Sequence, residues 1–148
     1  MSLAREPDEA PGTPRRIVDL AELGEEFAAF WRERHLCTLA TARDGGPPHV
    51  VPVGATLDLD TATARVITSG SSRKARLIGA NGPDGAAVSL CQVDGRRWST
   101  LEGRAVVRTE PEQVADAERR YTARYKPPRP NPSRVVLEIQ VTRVMGNV

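Results

Sequence analysis

Apolar residues recur at helical spacing near the start of the chain. Over residues 19–33 they are Leu20, Leu23, Phe27, Phe30 and Trp31. Because they repeat every three or four positions, this segment is predicted to form an amphipathic helix. Two further helices are predicted, a short one over 73–80 and a longer one over 109–125. Thr109 is expected to be the N-cap of the last helix, since Pro111 follows in its first turn.

Alternating apolar and polar residues predict six β-strands. They cover residues 36–42, 49–57, 64–68, 86–93, 98–108 and 135–144. Pro52 cannot donate to a strand ladder, so the second strand is expected to be bulged or to lie at a sheet edge. Gly54 in the same strand would allow another group to approach its backbone closely. Six strands with short connecting helices indicate a mainly β (α+β) fold, a small closed barrel, because closure removes exposed strand edges.

The length and composition indicate one domain. The chain has 148 residues, of which 39% are hydrophobic and 27% charged, as is typical of a single globular domain. Residues 1–16 contain three prolines among mixed charges, so they are expected to form a flexible tail. The domain would then cover residues 17–148. Its six aromatic side chains make a thin core, which dimerisation would strengthen.

Charge and hydropathy exclude several classes of function. The 21 Lys and Arg residues nearly balance the 19 Asp and Glu residues, which argues against a nucleic-acid-binding protein. No apolar stretch approaches the roughly 20 residues of a membrane span, and no apolar signal segment occurs near the N-terminus. A cytoplasmic protein is therefore expected. Cys37 and Cys91 lie in apolar segments, where a structural role is preferred over a redox or metal role.

The segment between the third strand and the second helix is the strongest candidate for a binding site. Thr68, Ser69, Ser72, Arg73 and Lys74 lie in this segment. They combine hydroxyl groups and cations with the free N–H groups of a helix start, and such groups bind phosphate. The alternative is an ordinary capped helix with a solvated basic turn. The chemistry of these residues alone does not decide between the two.

Two other segments could contribute to a site. Gln92 ends an apolar strand, where its amide could pair with the edge of a heterocycle, and Trp98 could offer a stacking surface. The alternative is a β-hairpin with a tryptophan at the rim of the core. Residues 119–134 are basic and rich in proline, so Arg129 and Asn131 could be presented to an anion. Such a run can equally be a solvated helix face followed by a linker.

Motifs for covalent or metal catalysis by the protein itself are absent from the sequence. It has no nucleophile elbow, no Walker loop, no dinucleotide-binding glycine motif and no close-spaced set of metal ligands. His35 and His49 are isolated and are interpreted as strand or boundary residues rather than as bases. An enzyme with this sequence would therefore rely on a bound cofactor, which the protein orients.

The order of several motifs resembles that of the pyridoxamine 5′-phosphate oxidase-like split-barrel flavoproteins over residues 20–146. These motifs are HLCTLAT from His35, PHVVPVG from Pro48, SSRK from Ser71, LEGRA from Leu101 and VVLEI from Val135. Within that superfamily, SLCQVDG from Ser89, Trp98 and PRPNP from Pro128 are similar to the branch that uses the deazaflavin coenzyme F-420. More narrowly, the chain resembles the mycobacterial biliverdin reductases of that branch.

The resemblance implies a six-stranded split β-barrel that works as a homodimer and binds its cofactor at the subunit interface. The residues that it assigns to the cofactor are Val51, Pro52, Val53, Thr68, Ser69, Ser72, Arg73, Lys74, Gln92, Trp98, Arg129 and Asn131. In this assignment Ser72, Arg73 and Lys74 hold the phosphate. Thr68 and Ser69 lie along the ribityl chain.

The remaining assigned residues would surround the ring of the cofactor. The backbone of Val51–Val53 would border the ring, and Gln92 and Trp98 would flank the same pocket. Arg129 and Asn131 would reach in from the partner subunit. Arg129 is also the candidate for binding the propionates of a substrate or for supplying a proton.

The activity implied by the resemblance is a reductase in which reduced F-420 gives hydride to a conjugated acceptor, first of all biliverdin. Two alternatives stay open. One is a flavin mononucleotide (FMN) oxidoreductase on the same barrel, because the Ser-Arg-Lys loop also occurs in members that bind FMN. The other is a non-catalytic carrier of the deazaflavin or of a tetrapyrrole. The expected partners are a second copy of the chain and a small planar acceptor.

Overall fold

The computed structural model of the protein describes residues 18–148. The predicted flexible tail, residues 1–16, lies outside the described residues. The described residues form one antiparallel sheet, three α-helices and two short 3-10 turns. The order of the strands in the sheet determines where the candidate site lies.

Seven strands make up the sheet of residues 18–148. They are β1 (Cys37–Thr41), β2 (His49–Val53), β3 (Ala55–Asp58), β4 (Thr63–Ser69), β5 (Ala86–Asp94), β6 (Arg97–Arg108) and β7 (Arg134–Gly146). Their order across the sheet is β2-β1-β5-β6-β7-β4-β3. β2 and β3 follow each other along the chain but lie at opposite ends of this order. Since only Gly54 separates them, the sheet curls so that its two edges approach each other without pairing, which gives a half-barrel.

The prediction of six strands is wrong because residues 49–57 form two strands rather than one. The chain changes partner at Gly54, so that β2 pairs with β1 whereas β3 pairs with β4. A Cβ at Gly54 would lie 2.8 Å from the ring of Tyr121 and 3.3 Å from that of Tyr125. The close approach expected at Gly54 is therefore confirmed. The edge position expected for the strand that contains Pro52 is confirmed as well.

The barrel predicted to be closed is open between β2 and β3, where α3 (Pro111–Arg124) supplies side chains in place of a strand. The hydroxyl of Tyr125 accepts a hydrogen bond from the N–H of Ala55 at 3.0 Å, and Arg124 donates one to the Ala55 carbonyl at 2.6 Å. Burial raises the pKa of Tyr125 to about 12. The phenol therefore keeps its proton and donates it to the carbonyl of His35 at 2.7 Å. These bonds satisfy backbone groups that a neighbouring strand would otherwise satisfy.

The two other α-helices are α1 (Glu25–Arg32) and α2 (Arg73–Gly79). α1 is shorter than predicted because Gly24 adopts a φ of 94°, which separates a 3-10 turn from the helix. The predicted N-cap of α3 is wrong. The N-cap is Glu110 rather than Thr109, and its side chain makes no capping hydrogen bond.

The core lies inside the curled sheet, where strand side chains meet α1 and α2. Its fully buried large side chains include Phe27, Phe30, Leu39, Ile78, Leu90, Leu101, Leu137 and Ile139. Burying one side chain of this size stabilises a fold by roughly 1.5–3 kcal/mol. None of the described helices is long and apolar enough to cross a membrane.

Candidate functional site

The connection from β4 to α2 brings Thr68 and Ser72 together. Thr68 Oγ1 donates to Ser72 Oγ at 3.1 Å, and Ser72 Oγ also accepts a hydrogen bond from the N–H of Ala75 at 3.3 Å. Ser72 is the N-cap of α2, because its side chain satisfies an N–H group that the helix leaves free. Since its oxygen accepts both bonds, the proton of the Ser72 hydroxyl is available to a ligand.

The proline-rich loop after α3 places Asn131 beside Ser69. Asn131 Nδ2 donates to Ser69 Oγ at 2.9 Å, and the N–H of Gly70 donates to the carbonyl of Ser133 at 2.8 Å. Both contacts lie within one chain, whereas the resemblance placed Asn131 in the site of the partner subunit. The loop and the end of β4 therefore form one continuous polar edge.

A cleft of about 410 Å³ opens beside this edge. Four of the residues predicted to bind the cofactor line it, namely Thr68, Ser69, Arg129 and Asn131. Lys126 and Arg134 also line the cleft and were not predicted. Arg134 pairs with Glu118 at 2.6 Å, so its charge is already balanced. Lys126 and Arg129 are thus the cations that the cleft can offer to an anionic ligand.

Among residues 18–148, Arg73 and Lys74 are cations without a carboxylate partner. No ion pair within residues 18–148 includes either of them. Burial lowers the pKa of Lys74, because a partly desolvated ammonium group is less stable when no anion lies beside it. An external anion would offset this cost, so the start of α2 is a favourable position for a phosphate.

Arg43 and His49 were not among the residues predicted to bind the cofactor, but their charges and those at the start of α2 act on one another. Burial lowers the pKa of His49, and the positive charges of Arg43, Lys74 and Arg73 lower it further. We call Arg43, His49, Arg73 and Lys74 the cationic cluster. The alternation of β2 was the available signal, because it places His49 on the same face as Val51.

β2 carries the backbone that was predicted to border the cofactor ring. It is an edge strand and pairs with β1 alone among the described strands. One side of its backbone therefore has no strand partner in this part of the chain. The side chains of His49, Val51 and Val53 face inward, while Val50 and Pro52 are exposed. The open edge of β2 can accordingly meet a ligand or a second chain.

Gln92, which was predicted to flank the cofactor pocket, does not line the cleft. The Gln92 side chain is fully buried. Its Nε2 donates to the carbonyl of Phe30 at 2.8 Å, and its Oε1 accepts a hydrogen bond from Arg124. Arg124, a buried residue that the sequence did not reveal, also donates to the carbonyl of Glu33 at 2.8 Å. The Gln92 amide thus serves the interior of the protein.

Trp98 lies on the outward face of the sheet, away from the buried Gln92. It is opposite Val93 in the β5–β6 ladder, and the two side chains are 37% and 64% exposed. The backbone N–H of Trp98 donates to Asn147 Oδ1 at 2.9 Å. A stacking role for Trp98 would therefore require a ligand or a partner on the outward face.

Glu33, His35 and Asp94 place three potential metal ligands within 4.8 Å of one another. Arg97 already pairs with both carboxylates, at 3.1 Å from Glu33 and in direct contact with Asp94. Hydrogen bonds from His35 and Arg97 lower the pKa of Glu33. An exposed network of ion pairs accounts for this group without a metal.

Comparison with known proteins identifies relatives of the chain. The sequence pattern of the pyridoxamine 5′-phosphate oxidase family matches residues 23–147. Over 125 residues the chain is 50% identical to an F420H(2)-dependent biliverdin reductase of Mycobacterium tuberculosis (strain CDC 1551 / Oshkosh). The aligned region covers 84% of this chain and 88% of that protein.

Two solved structures share the fold. One is a conserved hypothetical protein from Mycobacterium tuberculosis, with a TM-score of 0.69, 24% identity, and coverage of 91% of this chain and 90% of that one. The other is an F420 reductase, with a TM-score of 0.63, 21% identity, and coverage of 82% of this chain and 97% of that one. At this level of identity the two structures support the fold alone. Because the family pattern spans most of the sequence, the chain belongs to the pyridoxamine 5′-phosphate oxidase family.

Proposed function

We propose that the protein is an F-420-dependent reductase that transfers hydride from the reduced deazaflavin to biliverdin or a related planar, conjugated acceptor. The observation that carries this proposal is the 50% identity, over 84% of the chain, to a biliverdin reductase that depends on F420H(2). The proposal places the cofactor-binding domain at residues 17–148 and the enzyme in the cytoplasm.

The residues at the start of α2 fit a cofactor that carries a phosphate group. Arg73 and Lys74 have no carboxylate partner among the described residues, and the Ser72 hydroxyl has a proton to donate. We assign the phosphate to these three residues and the ribityl chain to Thr68 and Ser69. When bound, the reduced deazaflavin supplies the hydride. The protein itself binds the cofactor and orients it.

The substrate side of the site would lie along the open edge of β2 and the neighbouring cleft. The backbone of Val51–Val53 would border the ring of the cofactor. Lys126 and Arg129 line the cleft and are suited to the propionates of a tetrapyrrole, because charge-assisted hydrogen bonds to carboxylates are strong. The proton that completes the reduction would come from solvent or from Arg129. No side chain is required to act as a nucleophile.

A homodimer would complete this site. Val50 on β2 is 55% exposed and Val93 on β5 is 64% exposed, although both are large apolar side chains. They lie on the outward face of the sheet, as does Trp98. A second copy on this face would cover them and could bring Trp98 to the edge of the partner's cofactor site.

Replacing Val50 with glutamate is expected to convert the dimer into a monomer, because a carboxylate would be buried without a partner in the interface. Sedimentation velocity at several protein concentrations measures the change. Ala123→Glu, at an exposed position of α3, is the matched control and should remain dimeric. A monomeric wild-type protein, or a dimer that Val50→Glu leaves intact, would show that this face is not the interface.

The proposed reaction is tested by following the oxidation of reduced F-420 after the protein and biliverdin are added together. We expect oxidation to be faster than in mixtures that lack either the protein or biliverdin. Titration of the protein with F-420 and with FMN identifies the cofactor. Binding of F-420 without faster oxidation would indicate a carrier, and binding of FMN alone would indicate a flavin enzyme. Either result would overturn the proposal.

A further inference from the structure

The β1–β2 hairpin carries two polar side chains whose shielded atoms have no partner. Thr41 Oγ1 and His49 Nδ1 are inaccessible to solvent and make no hydrogen bond within the described residues. The two residues are directly opposite each other in the β1–β2 ladder, so their side chains lie on the same face of the sheet. Shielded polar atoms without partners cost free energy. Thr41 and His49 thus place two such atoms on one face of the hairpin.

Within the described residues, the charges that shift the pKa of His49 are all positive. Arg43 lies in the hairpin turn, where its Nε donates to the carbonyl of Pro47. Arg73 and Lys74 approach from the start of α2, and β1 contributes only the neutral Thr41. Burial lowers the pKa of His49 most, and Arg43, Lys74 and Arg73 each lower it further. None of the groups of the described residues that shift this pKa is a carboxylate.

These surroundings determine where the neutral imidazole carries its proton. A proton on Nδ1 would be a shielded donor without an acceptor, so the neutral ring carries its proton on Nε2. Addition of a second proton would place a fourth positive charge beside three cations. An anion bound to the cationic cluster would offset those charges. A small rotation would then allow the Nδ1–H group to donate to Thr41 Oγ1.

We propose that His49 belongs to the phosphate-binding site and takes up a proton from solvent when the phosphate of the cofactor binds. The proton forms the second N–H bond of the ring, and no other bond is made or broken. This inference rests on the proposed function for the identity of the cofactor. It adds to that function one residue, His49, and one proton that is bound together with the phosphate.

The first test measures the protonation of His49 by NMR titration of the imidazole signals in the whole protein. The chain has only two histidines, so the variant His35→Gln identifies the signal of His49. Titrations are recorded without cofactor, with saturating F-420 and with saturating FMN. We expect the pKa of His49 to lie below the usual 6.5 in the free protein and to rise by about one unit or more in the complex. An unchanged pKa in a saturated complex would refute the inference.

The second test measures the affinity for F-420 between pH 8 and pH 5.5 for the wild type and for His49→Gln. A group whose pKa is low in the free protein and higher in the complex binds a proton on association, so affinity rises as the pH falls through these values. A shift of one unit corresponds to about a tenfold greater rise in affinity for the wild type than for His49→Gln. Because both proteins bind the same ligand, titration of the cofactor itself cancels in the comparison.

The outcomes separate this inference from the proposed function. Parallel affinity curves for the two proteins would refute the role of His49 and leave the reductase proposal intact. Proton uptake with FMN, in a protein that does not bind F-420, would support the role of His49 and refute the F-420 assignment. A protein that binds neither cofactor would refute both.

Discussion

Replacing Arg124 with methionine is expected to lower the free energy of unfolding by about 3–5 kcal/mol. The guanidinium is buried and donates to the carbonyls of Glu33 and Ala55 and to Gln92 Oε1. Methionine fills much of the same space but cannot donate. With the carbonyl of Phe30, which also accepts a hydrogen bond from Arg124 at 3.5 Å, the substitution leaves four acceptors without this donor, and their lost hydrogen bonds account for the cost. Urea denaturation followed by tryptophan fluorescence measures the change.

Arg119→Met is the matched control for Arg124→Met, because it makes the same change on the same helix at an exposed position. Arg119 pairs with Asp116 at 3.4 Å, and its side chain is 70% exposed, so its removal should change stability by less than about 1 kcal/mol. Arg124→Met should also cost less in a Gln92→Leu background, since one of the stranded acceptors is then absent. Equal stability of the Arg119 and Arg124 variants would contradict the role assigned to Arg124.

Arg124 matters for function because one of its acceptors, the carbonyl of Ala55, lies beside the junction of β2 and β3. Ala55 directly follows Gly54, the residue at which the chain passes from β2 to β3. Arg124 and Tyr125 together hold the backbone of Ala55. Because β2 ends at Val53, two residues before Ala55, these two side chains at the end of α3 help to position the backbone of Val51–Val53 that we assign to the cofactor ring. The loss of Arg124 should therefore disturb the site as well as the fold.

Replacing Lys74 with alanine is expected to weaken the binding of F-420 by about 1.5–3 kcal/mol, which corresponds to roughly 10- to 150-fold in Kd. Lys74 has no carboxylate partner among residues 18–148, so in the complex its charge would be satisfied by the phosphate alone. Fluorescence titration at fixed salt concentration measures Kd. The stability of the free protein should not fall, because burial disfavours the charged form of Lys74 and lowers its pKa.

Arg76→Ala provides the matched control for Lys74→Ala. Arg76 is an exposed cation on the same helix and does not contribute to the shifted pKa of His49. We expect this variant to bind F-420 nearly as the wild type does, and any small loss to disappear at higher salt. If Lys74→Ala and wild type bind F-420 with equal affinity, Lys74 is not a phosphate ligand.

The sequence by itself determined the features that depend on neighbouring residues. Local sequence patterns located the three α-helices and the strand-forming segments of residues 18–148, and the motif around Ser72 pointed to the connection between β4 and α2, where the side chains of Thr68 and Ser72 meet. Pro52 predicted an edge strand because it lacks an N–H group. These features could be predicted because periodicity, capping and proline geometry act over a few residues.

The tertiary structure alone decided the features that depend on pairing across the chain. It divided the segment 49–57 at Gly54, because β2 and β3 find their partners at opposite ends of the sheet. It buried Gln92 against Arg124, 32 positions away, and so removed Gln92 from the cleft. It also placed His49 where the charge of Lys74 lowers its pKa. No local pattern encodes these contacts, since they arise only when the curled sheet brings distant segments together.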